Sequence, residues 1–242
     1  MDYVSEPLLI AAILFAAAAL QSAIGFAIGM FAIPLLLWAG CSLPTAVALV
    51  LISSLVQSLV GALRLRTEIR WQEAISATGY RLLGLPFGLA ALALADSLGT
   101  ELVRQVVGMA ILGLVALQWS QRSTMVAESK PAAFFSSGYL LGMLGMGGPT
   151  MALWVLARDW QASRMRAFMF AVNLLTLPVN LVLLGLTFSG DSLRTLSLGL
   201  TFCPVAMVGA AAGLRLAGWL PRGRLRLAAY SVLGVLGITA AL

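Results

Sequence analysis

Arg81 is the residue in this sequence with the most chemistry to account for. It lies inside the apolar run "AISATGYRLLGLPFGLAALALA", which starts at Ala74. At 1.5 Å rise per residue that start places it on the order of 10 Å along a helix axis. A buried arginine in lipid costs several kcal/mol unless it snorkels to the surface or meets a negative partner. No acidic residue lies within any apolar run. Three readings stand: the side chain snorkels, the run really begins later in the chain, or the arginine binds an anion supplied from outside.

Two glycine-rich stretches suggest where such an anion would sit. "GMGGPT" runs from Gly145 to Thr150, and "GFAIG" runs from Gly25 through Phe26 to Gly29. Glycine and proline interrupt a helix from within. Proline is nevertheless at home in the first turn of a new helix, where its missing N–H costs nothing. "GMGGPT" therefore reads as a half-helix ending, a turn at Gly145, Gly147 and Gly148, and a second half-helix starting near Pro149, with the Thr150 hydroxyl beside it. The free amides and positive dipole end of that second half-helix favour an anion. The competing reading is that glycines at this spacing let helices pack closely.

Polar residues in other runs add to the picture. Ser53 and Gln57 are four apart and share a helical face; Asn173, Thr176 and Asn180 do the same. They line a common interior surface or hydrogen-bond between helices.

Composition says what must hold these residues. Of 242 residues, 61% are hydrophobic and 10% charged. A soluble domain carries about 25% charged residues, so this chain cannot clothe a soluble surface. Apolar runs fall at about 8–40, 45–63, 74–95, 102–120, 132–157, 167–188, 195–219 and 225–242. The expected class is an all-α polytopic membrane protein forming one transmembrane domain.

The net charge of +6 reports basic loops between runs, not a nucleic-acid partner. The chain has no histidine, which removes haem, most zinc and copper sites and histidine-based catalysis. Cys41 and Cys203 have no metal-ligand spacing. No nucleotide-binding glycine–lysine loop and no paired intramembrane carboxylates appear. We expect no cofactor, no metal and no enzymatic activity. The N-terminal stretch, with Asp2 and Glu6, lacks the positive region of a signal peptide and reads as an uncleaved, non-cytoplasmic end.

The halves, about 8–120 and 132–242, resemble each other weakly. A shift of 120 sets "GFAIGMFAIP" on "GMGGPTMALW" and Ser53 on Asn173. Loop charges then discriminate between topologies. The basic clusters follow the second run (Arg64, Arg66, Arg70), the fifth (Arg158, Arg164, Arg166) and the seventh (Arg222, Arg224, Arg226). Eight simple crossings put some of them outside, against the positive-inside bias. If the first and fifth runs enter, turn and leave on one side, all three clusters face the cytoplasm, both termini face out, and the halves become inverted repeats. Eight crossings with kinked first and fifth helices are the alternative.

The motifs also resemble the TauE/SafE family of sulfite exporters. The likeness rests on "GFAIGMFAIPLLLWAG" with "SLPTAVALVLISSLVQSLVGA", and on "GYLLGMLGMGGPTMALW" with "RMRAFMFAVNLL". Gly25, Gly29, Pro34, Leu35 and Leu36 match the first family motif; Gly142, Gly145, Gly147 and Gly148 match the second. Ala27 and Ile28 depart from the first motif, where members often carry further glycines. The resemblance implies a secondary transporter in the bacterial inner membrane, moving sulfite, sulfoacetate-like organosulfonates or related small anions. On this reading the substrate meets Gly25, Phe26, Gly29, Ser53, Gln57, Arg81, Gly145, Gly147, Gly148, Thr150, Asn173 and Asn180. A passive anion channel is the rival function. The partners expected are a small anion and the lipid bilayer; oligomeric state is not legible.

Overall fold

The computed structural model describes residues 7–24, 28–97, 100–119, 128–188 and 192–219. Gly25, Phe26, the terminal Asp2 and Glu6, the loop with Arg222, Arg224 and Arg226, and the run 225–242 lie outside the described residues. Among the described residues the regular structure is helical, as the composition requires. The long helices are α1 (Pro7–Ile24), α2 (Ile28–Trp38), α3 (Leu43–Arg64), α4 (Trp71–Ser97), α5 (Thr100–Trp119), α6 (Lys130–Leu144), α7 (Gly148–Leu156), α8 (Ala162–Thr187) and α9 (Ser192–Trp219). A short 3₁₀ turn, Arg66–Glu68, follows α3.

Local sequence explains several boundaries. α3 and α6 both start with Ser-x-Pro. Ser42 caps α3 by accepting from the Thr45 N–H, and Ser129 caps α6 by accepting from the Ala132 N–H. Pro44 and Pro131 then sit in the first turns, where no N–H is needed. α3, α4 and α8 are long and apolar enough to cross a membrane. α4, with 27 residues, spans about 40 Å at 1.5 Å per residue, more than the ~30 Å hydrocarbon core. α7 has nine residues, about 14 Å, half of that thickness.

The fifth run doubles back. α6 ends at Gly145, whose φ of 64° is the left-handed conformation that suits glycine. The Gly145 and Met146 N–H groups close the end by donating to Leu141 and Leu140 carbonyls. Beyond the turn, Trp154 of α7 meets Phe134 of α6 edge-to-face, with centroids 5.2 Å apart, and Lys130 Nζ stands 5.9 Å over the same indole. Had α7 continued along α6, Lys130 and Trp154 would be roughly 36 Å apart at 1.5 Å per residue. α6 and α7 thus form a helical hairpin.

The two described basic loops, after α3 and after α7, meet at one end of the molecule. Glu73, in the first turn of α4, pairs with Arg70 at 3.6 Å and with Arg164 of α8 at 3.5 Å. Lys130 at the start of α6 donates to the Glu73 carbonyl at 3.3 Å.

Two glycine seams bring helix backbones into contact. A Cβ on Gly84 or Gly88 of α4 would overlap the carbonyl oxygens of Phe135 and Tyr139 on α6; on Gly138 or Gly142 it would overlap those of Arg81 and Leu85. In the same way Gly209 and Gly213 of α9 lie on the Phe15 and Ala19 carbonyls of α1. This is the small-residue packing of membrane helices, and it accounts for Gly142, which holds a helix seam outside the turn. The pairings are reciprocal: α4 packs on α6 and α8, α9 packs on α1 and α3, and α3 packs on α8. Outward-facing Leu83, Phe87, Leu94, Val182, Leu186 and Val208 are exposed, as lipid-facing side chains are.

Candidate anion site

The two interrupted runs touch. A Cβ on Gly29, at the start of α2, would overlap the Gly145 carbonyl oxygen, so only glycine allows this approach. Beside the contact lies a cavity of about 40 Å³. Its wall draws on both halves: Gln21 of α1, Gly29 of α2, Ser54 of α3, Arg81 of α4, the turn from Gly145 to Pro149, and Asn173 of α8, with Met30, Met151 and Leu177 among the apolar lining.

Arg81 turns into this cavity and away from lipid. Its side chain is 1% exposed, on the α4 face that carries Gly84 and Gly88, opposite the exposed Leu83 and Phe87. The snorkelling alternative therefore does not hold. α4 begins at Trp71, three residues earlier than the apolar run, which puts Arg81 about 15 Å along the helix rather than 10. Arg81 Nη1 donates to Asn173 Oδ1 at 2.7 Å, joining α4 to α8. Its Nε has no partner. Among the described residues no carboxylate pairs with it. Its Nη2 packs on the turn, 2.5 Å from where a Gly147 Cβ would be.

The turn itself is built as the glycines and proline suggest. α7 starts at Gly148 with Pro149 in its first turn, and its N-cap, Gly147, makes no side-chain capping bond. Its early amides and positive dipole end are thus left for another acceptor. Ser137 of α6 donates its hydroxyl to the Gly147 carbonyl, which ties the turn to the helix before it. A guanidinium, a carboxamide and a helix N-terminus converge on one small buried space. That arrangement can hold an oxyanion by charge and by N–H donation.

The other expected site residues divide. Gly29, Arg81, Gly145, Gly147, Gly148 and Asn173 line the cavity. Ser53, Gln57, Thr150 and Asn180 are buried but stand outside its lining. Gln57 donates Nε2 to the Ala18 carbonyl at 3.1 Å and to Ser22 Oγ. Asn180 Nδ2 reaches the Leu141 carbonyl at 3.5 Å. Thr176 donates to the Val172 carbonyl in its own helix. Gln21 and Ser54 line the wall without having been singled out. Gln21 lies one turn before the first break, and that position was the available signal.

Toward the basic end the cavity is backed by an aromatic cluster. Trp154 stacks on Phe168 and meets Phe134 and Trp160 edge-on. Arg158 lies 3.3 Å over the Trp154 ring and Arg164 4.4 Å over Trp160. Partial burial lowers the Lys130 pKa from its ordinary value and Arg158 pulls the same way, while Glu73 raises it again.

Long apolar helices packed around a buried polar cavity define a polytopic α-helical membrane protein. The chain belongs to the sulfite exporter TauE/SafE family, whose model matches residues 9–240. It is therefore a member of a family of membrane anion exporters. No curated protein and no solved structure matches the chain.

Proposed function

We propose that this protein is a secondary transporter, not an enzyme, and that it moves sulfite or an equally compact oxyanion held between Arg81, Asn173 and the turn Gly145–Pro149. The observation that carries the reading is Arg81: a buried guanidinium beside a helix break with no carboxylate among the described residues to neutralise it. Size favours a compact substrate. A buried water occupies roughly 10–15 Å³ of such space, so a cavity of about 40 Å³ suits sulfite better than a sulfoacetate-like organosulfonate. The same reading keeps Gly25 and Phe26 as substrate contacts expected from the sequence.

The reciprocal pairing of helices supports two inverted repeats, about 8–120 and 132–242. The basic end faces the cytoplasm of the bacterial inner membrane by the positive-inside bias, and both termini face outward. The test is sulfite counterflow in proteoliposomes. Trans-stimulation of labelled sulfite entry by internal sulfite is the expected result. Sulfite flux without trans-stimulation would establish the rival passive channel instead.

A further inference from the structure

The anion site uses the donor end of α7. At the acceptor end of α1 the structure leaves a group of oxygens that no hydrogen bond claims. Gln21 Oε1, Ser53 Oγ and Gln57 Oε1 are without partners, and all three residues are more than nine-tenths buried. Helix geometry sets them on the facing sides of α1 and α3. Gln57 of α3 reaches across to Ser22 and Ala18 of α1, so its face of α3 is turned to α1. Ser53 lies one turn away on that same face. Gln21 and Ser22 belong to the last turn of α1, which ends at Ile24.

The last turn of any helix also presents carbonyl oxygens without intrahelical partners and the negative end of the dipole. Buried acceptors left unpaired are costly. A cation satisfies all of them at once.

We propose that this cluster is a sodium site, formed by Gln21 Oε1, Ser53 Oγ, Gln57 Oε1 and the carbonyl end of α1. Its ligands are hard neutral oxygens, with no carboxylate among them. That set suits a small monovalent ion, whereas calcium and magnesium sites are built around carboxylates. Helix ends in transporters hold sodium through carbonyls of this kind. Gln21 also lines the cavity that Arg81 lines from α4, while Ser53 and Gln57 stand outside its lining, so the cation borders the anion cavity through Gln21. Each ion lowers the cost of burying the other, which couples sodium to anion movement. This coupling rests on the anion reading above, whereas sodium binding stands without it.

The experiment is thermal unfolding of the purified full-length protein, without sulfite, titrated with sodium, potassium or choline chloride at constant ionic strength. Saturable stabilisation by sodium alone is expected. Ser53→Ala and Gln57→Leu each raise the half-saturating sodium concentration about tenfold, as loss of one charge-assisted contact does. Gln57→Glu lowers it, because a carboxylate oxygen binds the ion more strongly; a merely structural glutamine predicts no such gain. Equal effects of the three salts, or sodium curves unchanged in all variants, overturn the site. The Arg81→Ala protein keeps its sodium response while losing its sulfite response. A missing sodium response with intact sulfite binding sinks the cation site alone, and the reverse sinks the anion site alone.

Discussion

Arg81 Nη1 and Asn173 Oδ1 are joined by a 2.7 Å hydrogen bond that ties α4 in the first half to α8 in the second. The bond occupies one edge of the guanidinium and orients the rest toward the cavity, where Nε has no protein acceptor. An asparagine orients an arginine without neutralising it. The charge therefore remains for a ligand.

Arg81→Ala should abolish the sulfite-induced thermal shift and lower counterflow by about 10–100-fold, the worth of charged hydrogen bonds. Arg81→Lys should recover part of it, because the charge returns without the planar fork. Wild-type counterflow by a well-folded Arg81→Ala protein would remove the arginine from the mechanism.

Gly147→Ala tests the turn. The added methyl would lie 2.5 Å from Arg81 Nη2 and 2.7 Å from the Ser137 carbonyl oxygen, so the guanidinium must move. Transport should fall about tenfold or more, for a displacement costing ~1–3 kcal/mol. Gly79→Ala on α4 is the control, since nothing lies within 4 Å of its Cβ position. It should transport normally and gain up to about 1 kcal/mol of stability. Equal transport by both variants would mean the turn does not shape the site.

Gly138→Val should act on the fold instead. Its side chain would drive into the Arg81 carbonyl at the α4–α6 seam. The expected loss is ~1–3 kcal/mol or more, read as a lower unfolding temperature and less protein in the membrane. Unchanged thermal stability would show that the seam can spread freely.

Single cysteines at positions 130 and 158, placed in a Cys41→Ala/Cys203→Ala background, should label from the same side of the membrane. Both residues reach the Trp154 ring, so a re-entrant run would place them on one side. A cysteine at position 97, at the far end of α4, should label from the other side. Opposite labelling of 130 and 158 would rule out the doubled-back arrangement in the membrane.

The helix pattern was legible because apolar runs report it directly. α3, α4 and α8 lie where those runs do, extended by a few polar residues at their ends. The turn at 145–149 was legible because glycine and proline act on the backbone itself, whatever surrounds them. Side-chain direction was not. Ser53 and Ser54 differ by 100° around one helix axis, and only packing says that Ser54 meets the cavity. Gln57 and Asn180 are residue types that line cavities and bridge helices equally well. For Arg81 the sequence supplies depth but not azimuth; the packing of α4 against α6 and α8 supplies the azimuth.

The seam between α1 and α9 bears on the order of synthesis. Phe15 and Ala19 emerge early, yet the glycines that cover their carbonyls, Gly209 and Gly213, belong to the last described helix. α1 therefore waits in the membrane, one face unclaimed, until almost the whole chain has left the ribosome. Neither half can finish assembly alone, and a truncation after α8 removes the partner of the helix made first.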